Sequence, residues 1–131
     1  MNKKEIIKKL KEYNFDINNY IVISGAAMVL LGLKESTRDI DVAVTKDYYD
    51  YLLNNYNCKF DRVNEFNNKC YIIDDIINFG IDYYNKDNKK VDNIPVQNIN
   101  DILKLKQFLN RKKDKEDIDK IKIYIKEKNE K

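Results

Sequence analysis

The amino-acid sequence predicts an α/β (α+β) domain in which a small mixed β-sheet packs against helices and is followed by a pair of C-terminal helices. Short β-branched runs that alternate with period two are interspersed with longer segments of helical periodicity. At 131 residues, 43% of them hydrophobic and 36% charged, the chain has the size of one ordinary globular domain. We therefore expect a single domain over residues 1–131, with its core at 20–84 and its C-terminal helices at 99–128.

The first half of the chain alternates between helix and strand. An apolar stripe at helical spacing opens the chain, and a β-branched run and a strictly alternating run follow later. In chain order, the predicted elements are a helix at Asn2–Tyr13, a strand at Tyr20–Ile23, a helix at Ala26–Leu33, a strand at Asp39–Val44 and a helix at Lys46–Tyr56.

The second half contains three further predicted strands and two helices. The strands are at Cys58–Val63, Lys69–Ile73 and Ile76–Tyr84, and a polar loop with the only proline follows at Asn85–Val96. The helices are predicted at Asn100–Asn110 and Lys115–Lys128. Asp114 is the expected N-cap of the last helix, with Asp117 completing a variant of the capping box.

The composition excludes several classes of chemistry. The sequence has no histidine, which rules out Ser–His and Cys–His nucleophilic mechanisms. Cys58 and Cys70 are not in a CxxC spacing, so without histidine the sequence argues against a zinc site. Apolar runs are too short to span a membrane, and the basic N-terminus lacks the apolar segment of a signal peptide. We therefore expect a cytoplasmic protein without a membrane partner.

The net charge of +3 is distributed unevenly. Residues 1–100 carry 14 basic and 15 acidic groups, whereas residues 101–131 carry 11 and 7. A basic tail of this kind is compatible with a polyanionic partner such as tRNA, but a solvated helix face explains it equally well.

Two carboxylates, Asp39 and Asp41, mark the most informative stretch of the chain. In the alternating run they share one side of the predicted strand with Ala43, about 7 Å apart along it. Two like charges on an otherwise apolar strand repel each other, and a bound cation would offset that repulsion. Their hard oxygen atoms suit Mg²⁺, which completes its coordination with water and substrate phosphates.

A tight turn at Ser24–Gly25 precedes the predicted helix after the first strand. Backbone N–H groups at the start of a helix attract anions such as phosphate. Phosphate at Ser24 and Gly25, together with metal at Asp39 and Asp41, indicates nucleoside triphosphate chemistry.

The run SGAAMVLLGLKESTRDIDVAV resembles the nucleotidyltransferase superfamily of DNA polymerase β-like fold, whose signature is hG[G/S] followed by DhDh. It is similar to a small bacterial subgroup with the pattern GGxA…L.G…RxTxDIDLxV, which includes AbiEii-type toxin-like proteins. Ser24 stands at the first glycine position of that pattern. Serine lacks the access of glycine to positive φ.

The run DILKLKQFLNRKKDKEDI is a second point of resemblance to this subgroup, whose pattern there is DLxxxKxxxxxRxKDxxDI. The matching positions are Asp101, Lys106, Arg111, Lys113, Asp114 and Asp117. Lys106 and Arg111 could reach a phosphate or a carboxylate. Local salt bridging and capping would explain the same charges.

The resemblance implies a third carboxylate, contributed by a later strand. Asp82, on the polar face of the predicted strand at Ile76–Tyr84, is the candidate, and a solvent-facing strand residue is the alternative reading. The Asp74–Asp75 pair is the fallback, although a turn explains it. The expected cofactor is Mg²⁺ or Mn²⁺ at Asp39, Asp41 and Asp82, with Ser24, Gly25, Lys106 and Arg111 on the triphosphate.

The function implied by the resemblance is transfer of a nucleoside monophosphate from an NTP to a hydroxyl of RNA, protein or a small molecule. Some relatives act as toxins, so a toxin–antitoxin role with a cognate antitoxin or other partner protein is part of this expectation. The alternative is a catalytically degenerate member that binds nucleotide, or only a partner. A nucleic-acid-binding module, suggested by the basic tail alone, is a third reading.

Overall fold

A computed structural model describes residues 1–129 of the chain, which divide into two compact units. The first comprises Met1–Gln97 and contains a mixed β-sheet with three helices. The second begins at Asn98 and is helical. The expected mixed α/β organisation is confirmed.

Seven strands form the sheet of the first unit, in the order β3-β4-β5-β2-β1-β7-β6. The pairs β1–β7 and β2–β5 are parallel, and the remaining neighbours are antiparallel. The strands are β1 Tyr20–Ile23, β2 Ile40–Val44, β3 Cys58–Val63, β4 Lys69–Ile73, β5 Ile77–Gly80, β6 Asn88–Val91 and β7 Ile94–Gln97. Every residue of β1 and β7 is buried, so the centre of this sheet lies in the core.

Three helices accompany the sheet: α1 Lys3–Tyr13, α2 Ser24–Leu30 and α3 Lys46–Asn55. A capping box between Asn2 and Glu5 starts α1 and satisfies backbone N–H groups that the first turn would otherwise leave unpaired. The ring of Tyr49 in α3 packs edge-on against Phe79 of β5, with centroids 5.6 Å apart. Helix α3 therefore covers the sheet face that carries Phe79.

The predicted polar loop at Asn85–Val96 is wrong, because this segment contains the hairpin of β6 and β7. Its turn residues, Asp92 and Asn93, both have positive φ, at 50° and 66°. Two such residues match the twist of a two-residue hairpin. Pro95 is accommodated within β7, which pairs with β1 only at Val96 opposite Val22.

The predicted strand at Ile76–Tyr84 is too long, because β5 ends at Gly80. The backbone turns at Asp82–Tyr83, where Tyr83 has a φ of 70°. The alternation continues in sequence beyond Gly80, but Ile81 and Asp82 no longer belong to the sheet. The first helix after β1 also differs from the prediction, since it begins at Ser24 itself and ends at Leu30, before Gly32 with its φ of 84°.

The second unit consists of α4 Ile99–Leu109, a 3₁₀ turn at Lys112–Asp114 and α5 Lys115–Asn129. The expected C-terminal helix pair is present, and Asn98 is the N-cap position of α4. Within residues 1–129, none of the helices is both long and apolar enough to cross a bilayer.

Candidate functional site

The strand register brings the Ser24–Gly25 bend next to the aspartate pair. Strands β1 and β2 are antiparallel, and Ile23 pairs with Asp41. The chain therefore leaves β1 at Ser24 at the same end of the sheet where Asp39 leads into β2. We call this end, defined by Ser24, Asp39, Asp41, Asn78 and Gln97, the Asp41 end of the sheet.

Ser24 adopts a backbone conformation that glycine would take more easily. Its φ is 58°, in the left-handed region, which costs a non-glycine residue about 1–2 kcal/mol. Gly25 is closely packed, since a Cβ there would lie 3.2 Å from Thr37 Oγ1. The motif position where Ser24 replaces glycine is thus one at which positive φ is required.

The anion-binding capacity of this bend is modest. Helix α2 has seven residues, so its dipole is short, and the Ser24 N–H already donates to Gln97 Oε1 at 3.4 Å. Gln97 is itself 4% exposed. A phosphate here would have to exchange with the long Gln97 hydrogen bond.

Asp39 and Asp41 are both half-buried at the Asp41 end of the sheet. Asp41 pairs with Asn78 of the parallel strand β5, and directly paired residues point to one face. Phe79, which follows Asn78, points to the face covered by α3. Asp41 and Asn78 therefore point to the face opposite α3.

Asn78 is a polar residue that the sequence reasoning did not select. It is 7% exposed, and its Nδ2 donates to Asp61 Oδ2 at 2.5 Å. Asp61 is the extra residue of a bulge in β3, between Phe60 and Arg62. The alternation of Asn78 with apolar neighbours was the one signal in the sequence, but nothing there indicates the bulge.

Asp82 does not join the aspartate pair. It lies in the turn beyond Gly80, the last residue of β5, whereas Asp41 pairs with Asn78 near the first residue of that strand. The two carboxylate oxygens of Asp82 accept hydrogen bonds from the side-chain amides of Asn64 and Asn68, each at 2.5 Å. Asp82 therefore binds the turn between β3 and β4 through its side chain.

The described residues do not assemble the expected three-carboxylate metal site. Among residues 1–129, no three His, Cys, Asp or Glu side chains are grouped so that they could hold a metal ion. The fallback pair occupies a turn, with φ of 54° at Asp74 and 57° at Asp75. Asp74 accepts a hydrogen bond from the Tyr13 hydroxyl, and Asp75 lies 3.7 Å from Lys59 Nζ.

Lys106 belongs to a buried ion cluster inside the second unit. It is 5% exposed, and its Nζ lies 3.2 Å from Asp114 Oδ1 and 3.3 Å from Asp117 Oδ2. Arg111 Nε donates to Asp114 Oδ2 at 2.5 Å. Local salt bridging, the alternative given above, therefore accounts for the charges of Lys106 and Arg111. Asp114 lies in the 3₁₀ turn and accepts hydrogen bonds from both.

The electrostatics of this cluster favour the ionised carboxylate. Burial raises the pKa of Asp114, but the hydrogen bond from Arg111 and the charge of Lys106 outweigh it and hold that pKa below its ordinary value of 3.8. Such a cluster fastens the 3₁₀ turn to α4 and α5.

A cavity of about 420 Å³ lies elsewhere in the first unit. It is lined by Asn14, Asp16, Asn19, Asp47, Tyr48 and Tyr51. The rings of Tyr48 and Tyr51 stack at 5.3 Å, and none of the residues selected from the sequence as site residues lines this cavity.

Comparison with known proteins gives no family assignment. No protein-family model matches the chain, and no curated protein or solved structure matches it significantly. The resemblance to nucleotidyltransferases, carried by the residues from Ser24 to Val44 and from Asp101 to Ile118, therefore remains a hypothesis about function.

Proposed function

We propose that this protein is a Mg²⁺-dependent nucleotidyltransferase, which moves a nucleoside monophosphate from an NTP to an acceptor hydroxyl. The β1–β2 register carries the proposal, because the pairing of Ile23 with Asp41 joins the Ser24–Gly25 bend to the aspartate pair. Phosphate at the bend and a metal ion at Asp39 and Asp41 would then be neighbours.

The donor atoms at this end of the sheet fit Mg²⁺. Asp39 and Asp41 supply carboxylate oxygens, the hard ligands that this ion prefers, and both side chains are half-buried rather than sealed in the core. Protein sites for Mg²⁺ commonly use one or two carboxylates, with water and phosphate oxygens completing the octahedron. Two aspartates are therefore enough without Asp82.

The proposed reaction is an in-line displacement at the α-phosphorus. The acceptor hydroxyl oxygen forms a bond to that phosphorus while its bond to the oxygen bridging to the β-phosphate breaks; pyrophosphate leaves, and the acceptor proton passes to water. A bound Mg²⁺ would neutralise charge on the phosphates. The contribution of the chain is alignment, with Ser24 and Gly25 beside the triphosphate and the two aspartates holding the ion.

The acceptor is a hydroxyl of RNA, protein or a small molecule. The excess of basic over acidic groups in residues 101–131 favours a polyanion such as tRNA among these. A toxin–antitoxin role, with a cognate protein that binds this chain, is the biological setting that the subgroup resemblance suggests.

A second function, nucleotide binding without transfer, is favoured by a specific observation. The residue paired with Asp41 on the neighbouring strand is Asn78, which cannot act as a carboxylate base. In addition, Lys106 and Arg111 are engaged with Asp114 in the second unit. A protein of this kind would bind Mg²⁺ and NTP and release no pyrophosphate.

One assay separates the two functions. The protein is incubated with each α-labelled NTP, Mg²⁺ and tRNA, protein or small-molecule acceptors, and label transfer and pyrophosphate release are measured beside Asp41→Asn. Transfer that requires Mg²⁺ and is lost in Asp41→Asn supports the transferase. Mg²⁺-dependent NTP binding with no pyrophosphate release supports the second function, and the absence of both contradicts the nucleotide site altogether.

A further inference from the structure

We propose that the side-chain amide oxygen of Asn78 is a third oxygen ligand of the metal site at Asp39 and Asp41, and that Asp61 orients it. The inference rests on the proposed function, because it assumes a metal ion beside Asp41. It concerns a neutral ligand, the side-chain amide oxygen of an asparagine.

The position of Asn78 is set by the sheet. Asn78 and Asp41 are paired residues of parallel neighbouring strands, whose backbones lie about 4.8 Å apart. Their side chains rise from the same face, the one opposite α3. An oxygen of each can therefore approach a common ion.

The orientation of the Asn78 amide follows from its partner. Asp61 carries a carboxylate, which only accepts hydrogen bonds, so the amide group facing it at 2.5 Å is Nδ2. The amide oxygen Oδ1 therefore points away from Asp61. Among residues 1–129, no hydrogen bond reaches Oδ1, and no fully buried side-chain nitrogen or oxygen lacks a partner. Oδ1 is therefore not fully buried, although Asn78 as a whole is 7% exposed.

The bulge in β3 explains how Asp61 comes to orient Asn78. Phe60 pairs with Tyr71 and Arg62 with Cys70, which leaves Asp61 as the extra residue. Bulges redirect a side chain and occur often beside functional sites. The carboxylate of Asp61 thereby reaches Asn78, and Arg62 Nε lies 3.7 Å from the same oxygen.

The chemistry of this donor set suits a weakly held, exchangeable Mg²⁺. An amide oxygen is a hard ligand like a carboxylate, but it adds no negative charge to a pair of aspartates that already repel each other. Asp61 plays the part that outer-shell carboxylates play for metal ligands, since it holds the ligand in one orientation. Asn78 is thus a ligand and Asp61 a positioning residue.

The test uses Mn²⁺ alone, with free ion quantified by electron paramagnetic resonance during titration of the full chain. Asn78→Ala removes the ligand, and Asp61→Ala removes the group that orients it. We expect Asp61→Ala to weaken Mn²⁺ binding by about 10–100-fold, the range typical of outer-shell substitutions, and Asn78→Ala, which removes a ligand, to weaken it at least as much. Asp82→Asn, a change in the turn beyond β5, is the matched control and should leave the affinity unchanged.

If a single variant unfolds, a double variant that exchanges the two side chains still tests the proposal. Asn78→Asp combined with Asp61→Asn preserves the hydrogen bond and the net charge but places a carboxylate beside Asp41. We expect Mn²⁺ to bind more tightly to it than to the wild type. If the double variant and a folded Asn78→Ala protein both bind Mn²⁺ with wild-type affinity while Asp41→Asn does not bind it, the role of Asn78 is overturned and the proposed function is not. Failure of the wild type to bind Mn²⁺ would overturn the proposed function with it.

Discussion

The two units of the molecule each contain two aspartates within a few residues of each other in the sequence, and the two pairs differ in their surroundings. Asp114 and Asp117 in the helical unit are 3% and 7% exposed and share the ammonium group of Lys106. Asp39 and Asp41 in the sheet unit are half-buried at the end of a strand, beside Asn78 and the Ser24–Gly25 bend. The first pair is built into the protein, whereas the second is in reach of solvent.

Two aspartates close in sequence therefore need not have the same role in the protein. A buried carboxylate with a lysine in contact has its charge balanced within the fold, so its removal should be felt in stability. Under the proposed function the half-buried Asp39 and Asp41 hold an ion from solution, so removal of either carboxylate should be felt in ion binding.

The largest effect is expected from Lys106→Met. Removing the ammonium breaks the buried contacts of Lys106 with Asp114 and Asp117, which should lower the free energy of unfolding by about 3–5 kcal/mol. Urea unfolding followed by circular dichroism measures the change, with the exposed Lys104→Met on the same helix as a control. Equal stability of the two variants would show that the cluster is not structural.

Acid should weaken the same cluster. The pKa of Asp114 is lowered in the folded protein, so its contribution to stability is complete above the ordinary value of 3.8 and is lost as the pH falls through the lower folded value. Asp114→Asn lacks this contribution at every pH. Unfolding curves from about pH 6 to about pH 2.5 should show the stability gap between wild type and variant narrowing as acid is added. A constant gap would contradict the assignment.

A third contrast lies within the sheet unit. Asp82→Asn weakens the hydrogen bonds from Asn64 and Asn68 and should destabilise the protein by about 1–2 kcal/mol, while Mn²⁺ affinity stays unchanged. Thermal unfolding and metal titration on one sample measure both. Loss of metal binding in a folded Asp82→Asn protein would restore Asp82 to the metal site.

The smallest effect is expected from Ser24→Gly. Glycine adopts a φ of 58° without strain, so this variant should be more stable by about 1 kcal/mol. Gly32→Ala is the control with the opposite expected sign. Gly32 has a φ of 84° and an added Cβ would meet no atom within 4 Å, so the expected loss of about 1 kcal/mol of stability comes from backbone strain alone. Chemical denaturation measures the change in the free energy of unfolding for both variants. If Ser24→Gly is less stable than the wild type, the serine side chain stabilises the protein by more than its backbone strain destabilises it.

Local patterns were enough to predict much of the fold. Strands β3 and β4 have the predicted bounds because alternation and a polar turn agree there. The β6–β7 hairpin was missed because its turn is Asp92–Asn93 rather than a glycine-containing pair, and because lysines on β6 and Pro95 on β7 read as loop. The end of β5 was missed because alternation continued past the point where the backbone turned.

The candidate site depends on pairings that no local pattern encodes. The motif resemblance implied that Ser24 lies near Asp39 and Asp41, and the antiparallel pairing of β1 with β2 brings Ser24 next to Asp41. The parallel pairing of β2 with β5 selects Asn78 instead of Asp82, and it is a long-range feature. The contact of Asp61 with Asn78 requires the bulge in β3, which the sequence does not indicate. The burial of Lys106 depends on how α4 and α5 pack. The spacing of the charges alone therefore could not distinguish a phosphate ligand from an internal ion pair.

The most direct test of the central claim is calorimetric titration with α,β-imido analogues of ATP, CTP, GTP and UTP, with and without Mg²⁺. The wild type should bind at least one analogue only when Mg²⁺ is present, and Asp41→Asn should lose more affinity than the ~10–100-fold typical of outer-shell changes while keeping its melting temperature. Asp82→Asn should bind like the wild type. Binding that is independent of Mg²⁺, or an Asp41→Asn protein that binds normally, would contradict the claim that the aspartates at the end of β2 hold a metal ion for a triphosphate.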